Sequence, residues 1–233
     1  MLETELQDLC ERGQLELMET RYLDAADTLA QAEQAAWDAR SFDTLARLYL
    51  PLQEARRQIR QRCGEGAVRL HLFPVNPTDT IDPLQILQTT PHGQLLVGGW
   101  DAIQPALIVR RLAKKQRLYV ETFLGSVQPG DDLSIKIIPS EDWQGTCLTL
   151  KAEEIPPDAP VGNAESFAGV MDIWERLHLP FLKAAEKEQD PIRRMQAYRF
   201  TIRVDPACEL AHQYLAEIAR KLARARIGAG KAD

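Results

Sequence analysis

An Asp-Pro pair near the end of the chain constrains the fold more than any other feature. From Tyr198 the sequence reads YRFTIRVDPACELAHQYLAEIARKL. Tyr198 with Thr201 and Ile202 gives spacings of three and four, Asp205-Pro206 interrupt the pattern, and Ala211, Tyr214, Leu215, Ile218 and Leu222 restore an apolar helical stripe. This pattern specifies two amphipathic helices joined by a tight turn, each of which must bury its stripe against another element. Pro206 is expected to open the second helix, where its missing N–H costs nothing. A proline one turn later, at Leu210, is expected to break it. A hairpin of this kind presents a surface rather than a reaction centre.

The N-terminal part has the same character. Residues 1–63 contain one Gly and one Pro and read as helical throughout. Leu2, Leu6, Leu9, Cys10, Leu17 and Met18 form a first stripe, interrupted in register around Gly13. Tyr22, Ala25, Ala26, Leu29, Ala32 and Ala36 form a second, bounded by Thr20-Arg21. Leu45, Leu48, Tyr49, Leu52, Ala55 and Ile59 form a third, with Ser41 as its expected N-cap. Pro51 lies inside this third pattern and is expected to kink it or end it early.

Gly64-Glu65-Gly66 marks a boundary, after which the period changes. Val68, Leu70 and Leu72 alternate with Arg69 and His71 as a strand would. Asp82-Pro83 then reads as an N-cap and first turn of a short helix to about Gln88. Gln94–Val97 reads as a strand ending at Gly98-Gly99, and Ala102–Lys115 as a second helix capped by Asp101. Leu118–Phe123, Ser134–Ile138 and Thr146–Lys151 complete the strands. Strand, helix, strand, helix, strand is the order of parallel pairing with crossovers, and the two later strands extend it. Residues 155–165 are rich in Pro and Gly and read as a linker. Helical pattern returns at about Phe167, with pauses at Pro180 and Asp190-Pro191. The expected fold is mixed: a small α/β domain over 66–154, flanked by helical segments at 1–63 and 166–233 that pack on each other or cap the α/β part.

The helical ends resemble the tetratricopeptide repeat. In that family an aromatic in the second helix of a repeat is followed by a small residue, then Asp-Pro, then a bulky residue and a Leu-Gly pair in the next helix. Tyr198, Thr201, Asp205-Pro206, His212 and Leu215-Ala216 stand at those places, with His212 for the usual Trp and Ala216 for Gly. Tyr22-Leu23-Asp24-Ala25 with Leu29 and Ala32 looks like the second helix of such a repeat, preceded by Leu9 and Gly13. The resemblance covers about a third of the chain and implies stacked helical hairpins with a partner-binding groove. About three repeats are needed to bury a continuous core, and neither end holds three.

Composition excludes several functions. The chain has 233 residues, 45% of them hydrophobic, and a formal charge of −6, so its surface as a whole is not built for nucleic acid. No apolar run approaches the roughly 20 residues of a membrane span. The acidic, amphipathic start is unlike a secretory signal. Cys10, Cys63, Cys147 and Cys208 are scattered, with no CxxC or Cys/His metal spacing, and read as reduced thiols of a cytoplasmic protein.

Catalytic chemistry finds little support. The turn Gly98-Gly99-Trp100-Asp101, between a strand and a helix, is the pocket candidate, since backbone N–H groups at a helix start can cradle an anion. GxGxxG and GxxxxGK[ST] are both absent, and Asp101 repels phosphate, so a tight turn with an N-cap is the simpler reading. His71, His92, His178 and His212 share no metal spacing, and Ser126, Ser134, Ser140 and Ser166 lack GxSxG. Basic clusters occur at Arg56, Arg57, Arg60 and Arg62, at Arg110, Arg111, Lys114, Lys115 and Arg117, and at Arg220, Lys221, Arg224 and Arg226. Each stands at a helix end, where cations complement the helix dipole. Without interleaved aromatics they argue against nucleic acid. The sequence therefore predicts a cytoplasmic, non-catalytic adaptor that binds a protein partner, with no cofactor, metal or membrane, and leaves a homo-oligomer open. The alternative is a small α/β enzyme or ligand-binding domain, with a site at the loops 73–79, 98–101 and 124–128 that follow the strands.

Overall fold

The computed structural model describes residues 3–72, 80–97, 103–128, 134–140, 143, 145 and 147–229. Among them are eight α-helices and five strands: α1 Glu3–Met18, α2 Tyr22–Asp38, α3 Phe42–Glu65, β1 Ala67–Leu72, α4 Pro83–Thr89, β2 Gly93–Val97, α5 Ile103–Lys115, β3 Val120–Gln128, β4 Ser134–Ile138, β5 Leu148–Lys151, α6 Ala164–Lys187, α7 Pro191–Val204 and α8 Glu209–Ala229. The fold is mixed α and β. The chain divides into two compact units, one of residues 1–59 with 179–233 and one of residues 60–178, and the division falls inside α3 and α6.

The first unit is all helical, and both ends of the chain build its core. Leu29, Ala32, Ala36, Leu45, Tyr49, Leu52 and Ala55 are buried in one cluster with Leu182, Met195, Tyr198, Ala211, Leu215 and Ala219. Alanines at 25, 32 and 36 keep one side of α2 thin, so neighbouring helices approach closely. Gly13 does the same for α1. A Cβ there would stand 2.6 Å from Leu29 Cγ, so the glycine marks a helix contact rather than the expected break in register.

Neither Pro51 nor Pro180 ends its helix. α3 continues through Pro51 and α6 through Pro180. Each proline removes one helical hydrogen bond at a cost of about 3 kcal/mol. Buried residues on both sides offset it: Leu48, Leu52 and Ala55 in α3, and Leu177, Leu182 and Ala185 in α6. Pro206 does not open α8 either. Asp205 Oδ1 accepts from the Ala207 N–H at 3.0 Å, Cys208 N–H donates to the Asp205 carbonyl, and the helix begins at Glu209. Leu210 thus lies in the first turn, where proline is tolerated, and the expected break there is withdrawn.

α1, α2 and α5 end in the same device. Thr20, Arg40 and Arg117 have φ of 60°, 51° and 56°. In each case the next residue's N–H reaches back five residues: Arg21 to Glu16, Ser41 to Ala36, and Leu118 to Ala113. These are Schellman ends without the glycine that suits them. The left-handed conformation costs an L-residue about 1–2 kcal/mol, and β-branched Thr20 is the least suited of the three. Thr20→Gly is expected to raise stability by about 1 kcal/mol. Chemical denaturation of the full chain checks this, and a lower midpoint would contradict it.

The second unit is built on a sheet of order β1-β2-β3-β4-β5. β1, β2 and β3 run parallel, and β4 and β5 extend the sheet antiparallel. α4 and α5 are the two crossovers and pack on one another over one face. There Leu87, Leu95, Val97, Ala106, Val109 and Leu124 form a core. On the other face Phe123 packs against Trp174 of α6, ring centres 4.3 Å apart. Asp82 caps α4 through Leu84 N–H and Gln85 N–H, with Pro83 in the first turn as its sequence predicts. The expected linker lies inside this unit. Ala159 bridges Val68 at the outer edge of β1, and Asp158 accepts from Leu70 N–H at 2.8 Å, so the stretch covers an edge that would otherwise be open.

Candidate functional site

Of the three loops proposed for a ligand site, only residues 124–128 lie among those described. Residues 73–79 and Gly98, Gly99, Trp100 and Asp101 lie outside the described residues. Residues 124–128 are not a loop. They form the second half of β3 and pair with β4 from Leu124↔Ile138 to Gln128↔Ser134. Among the described residues the strand order runs without reversal, so these strands show no point where adjacent crossovers diverge.

A group of polar side chains in the second unit is closed on itself. Gln94 and Glu121 are register partners near the amino ends of β2 and β3. Arg60 Nε and Gln94 Nε2 both donate to Glu121 Oε2, the latter at 2.6 Å, and Trp174 Nε1 donates to Gln94 Oε1 at 3.3 Å. The Arg60 guanidinium also lies 4.2 Å from the centre of the Trp174 ring. The knot joins the start of the sheet to α3 and α6. Cys63 beside it is buried, and burial, with Glu121 nearby, pushes its thiol well above the usual range. A thiolate nucleophile is disfavoured there.

Several members of the basic clusters make separate contacts. Arg57 pairs with Glu54 and Arg62 with Glu65, while Arg60 is buried on Glu121. Arg110 donates to the Thr122 carbonyl, and burial lowers its pKa to about 10. Lys221 pairs with Glu217. His92 Nε2 donates to the Arg62 carbonyl. Ser166 and Asn163 cap α6 reciprocally, Ser166 N–H donating to Asn163 Oδ1 and Asn163 N–H to Ser166 Oγ. Among the described residues no group of His, Cys, Asp and Glu is placed to hold a metal ion, and the four cysteines are free.

The first unit holds a charged network that sequence reasoning missed. Glu33 of α2 is buried. Its carboxylate accepts from Arg199 Nε at 2.6 Å and Nη2 at 3.0 Å, and from Tyr49 Oη at 2.8 Å. Arg199 also stacks on Trp37, 4.3 Å from the ring centre. Burial, reinforced by Glu33, raises the Tyr49 hydroxyl well above its usual range. Nearby, His212 of α8 donates from Nδ1 to the Cys208 carbonyl at 2.8 Å. That leaves Nε2 to accept from Arg56 Nη1 at 3.2 Å. Desolvation lowers Arg56 to about 10, against the pull of Glu33, Tyr49 and Asp205. Burial, with Arg56 adjacent, lowers His212 to about 3. His212 therefore stands where the repeat resemblance expects a bulky side chain, and it adds two hydrogen bonds to that bulk.

This histidine makes stability depend on pH. The unfolded chain binds a proton near pH 6.5 that the native chain refuses until about pH 3, so unfolding becomes easier as pH falls. Its contribution is complete above about pH 6.5 and is lost progressively below it. From pH 7 to pH 5 the loss is about 2 kcal/mol. Denaturation at both values checks this, and His212→Gln is expected to flatten the difference. Equal dependence in the two proteins would contradict the assignment.

One open groove lies on the same unit, between α1 and α3, with a volume of about 350 Å³. Glu3, Gln7, Cys10, Glu11 and Gln14 line it from α1, and Thr44, Arg47 and Leu48 from α3. Leu6, Leu29 and Leu48 lie beneath it and belong to the core, almost wholly buried. The α1 positions follow spacings of three and four, so one helix face builds the wall.

Nothing among protein-family models, curated proteins or solved structures matches this chain. The resemblance to tetratricopeptide repeats therefore rests on the residues that carry it. No described helix is long and apolar enough to cross a membrane.

Proposed function

We propose that this protein is a non-catalytic adaptor of the cytoplasm, which binds a protein partner along the helical face made by α1 and α3. The groove is the observation that carries this reading, because it is an open depression along one helix face, lined mostly by polar side chains. The repeat-like residues of both ends support it. So does the mutual pairing of Arg60, Gln94, Glu121 and Trp174 in the second unit, which commits those groups to one another.

Two experiments test the reading. Affinity capture from the native host with the full chain is expected to retain a partner that Gln14→Trp, which fills the groove from an exposed position, fails to retain. Equal capture by both proteins would place binding elsewhere. A panel of nucleotides, dinucleotide cofactors and sugar phosphates is expected to leave the melting temperature unchanged. A folded-state ligand at 100 times its dissociation constant would add about 2.7 kcal/mol, or roughly 5–10 °C for a chain of this size. A shift of that kind, lost in Gly99→Val, would replace the adaptor reading with a small-molecule site.

A further inference from the structure

His212 ties α8 to α3 through a bond that only a neutral ring can make. The residue is fully buried, Nδ1 donates to the Cys208 carbonyl at 2.8 Å, and Nε2 accepts from Arg56 Nη1 at 3.2 Å. A proton on Nε2 would turn this acceptor into a second donor aimed at a guanidinium, inside the core. Around the pair stand Tyr49 of α3, Asp27 and Glu33 of α2, and Asp205 of the turn before α8. Glu33 is committed to Tyr49 and to Arg199 of α7, and Asp205 accepts from the Ala207 N–H, so their charge is already engaged. All of these residues belong to the unit of residues 1–59 and 179–233, and none to residues 60–178. The second unit keeps its own core about Leu95, Val109 and Leu124, and its own paired side chains, Arg60, Gln94, Glu121 and Trp174. Opening of the helical unit returns the ring to water, where it takes a proton near pH 6.5. Acid therefore favours that opening, and proteins open in cooperative units smaller than the whole chain.

We propose that the His212–Arg56 contact is an acid-sensitive latch: mild acid promotes opening of the helical unit, α8 coming away from α3, while residues 60–178 stay folded.

Two buried free thiols report on the two units separately, Cys208 in the first and Cys63 in the second. The full chain is treated with dithiodipyridine at a series of pH values from about 7 down to about 4, a range that spans histidine and carboxylate titration. Labelling of each cysteine is followed by mass spectrometry of its peptide. Each rate is divided by that of the denatured chain at the same pH, which leaves the opening equilibrium at that site. Cys208 is expected to become roughly 25-fold more accessible between pH 7 and pH 5, with the rise beginning near pH 6.5. Cys63 is expected to change little over the same interval. His212→Gln is expected to remove most of the rise at Cys208, because the amide can donate to the Cys208 carbonyl and accept from Arg56 yet takes no proton. No rise at Cys208, an equal rise at Cys63, or the same rise in His212→Gln would overturn the latch. If that variant does not fold, the onset in the wild-type chain decides. A rise near pH 6.5 at Cys208 alone upholds the latch, and one that begins only below about pH 5, where carboxylates titrate, overturns it.

Discussion

Arg199→Met is expected to destabilise the protein by about 3 kcal/mol, because it leaves the buried Glu33 carboxylate without its bidentate partner. For a chain of this length that is a fall in melting temperature of roughly 6–12 °C. The cost arises mainly from the stranded charge. The Tyr49 hydroxyl remains to donate, but one neutral donor does not replace a guanidinium that gives two hydrogen bonds. The Glu33→Gln, Arg199→Met double variant is therefore expected to recover a large part of the loss. The coupling between the two positions is expected to exceed about 1 kcal/mol. Additive effects would show that the pair is solvated and contributes little.

A fragment of residues 1–63 is expected not to fold. Its helices hold only part of the buried cluster, and Leu182, Ala185, Met195, Tyr198, Ile202, Ala211, Leu215 and Ala219 come from the other end of the chain. Removing them exposes the faces of α2 and α3 and strips Glu33 of Arg199 and Arg56 of His212. Helices of this length are marginal without tertiary packing. Circular dichroism with thermal denaturation decides the matter, and a cooperative transition in the fragment would contradict the shared core.

Periodicity made much of this architecture legible before any coordinates. The stripes of α2 and α8, the change of period at Gly66, the cap at Asp82 and the span of β4 all follow from local patterns that tertiary structure does not override. Several errors arise where burial outweighs local preference. Pro51 and Pro180 sit within helices because apolar residues on both sides are buried. Gly13 looked like a break because its role depends on Leu29 of another helix. Pro206 looked like a helix start, but the Asp205 side chain caps a turn that delays it. The candidate groove was less legible. The repeat resemblance implied one somewhere, while its lining residues, Glu3, Gln7, Glu11 and Gln14, read only as the solvated side of an amphipathic helix. The pairing of Glu33 with Arg199 joins positions far apart in the chain, and no spacing rule reports such a contact.

The account rests on the α1–α3 face being where a partner docks, and a photo-crosslinking amino acid tests that directly. It would replace Gln7, which is exposed on the groove wall, and, as the comparison, Arg111, which is exposed on α5. Irradiation of each full-length protein in native-host extract is expected to join one partner protein to the Gln7 position and not to Arg111, with the same partner lost in Gln14→Trp. The same adducts from both positions, or adducts at Arg111 alone, would contradict the account.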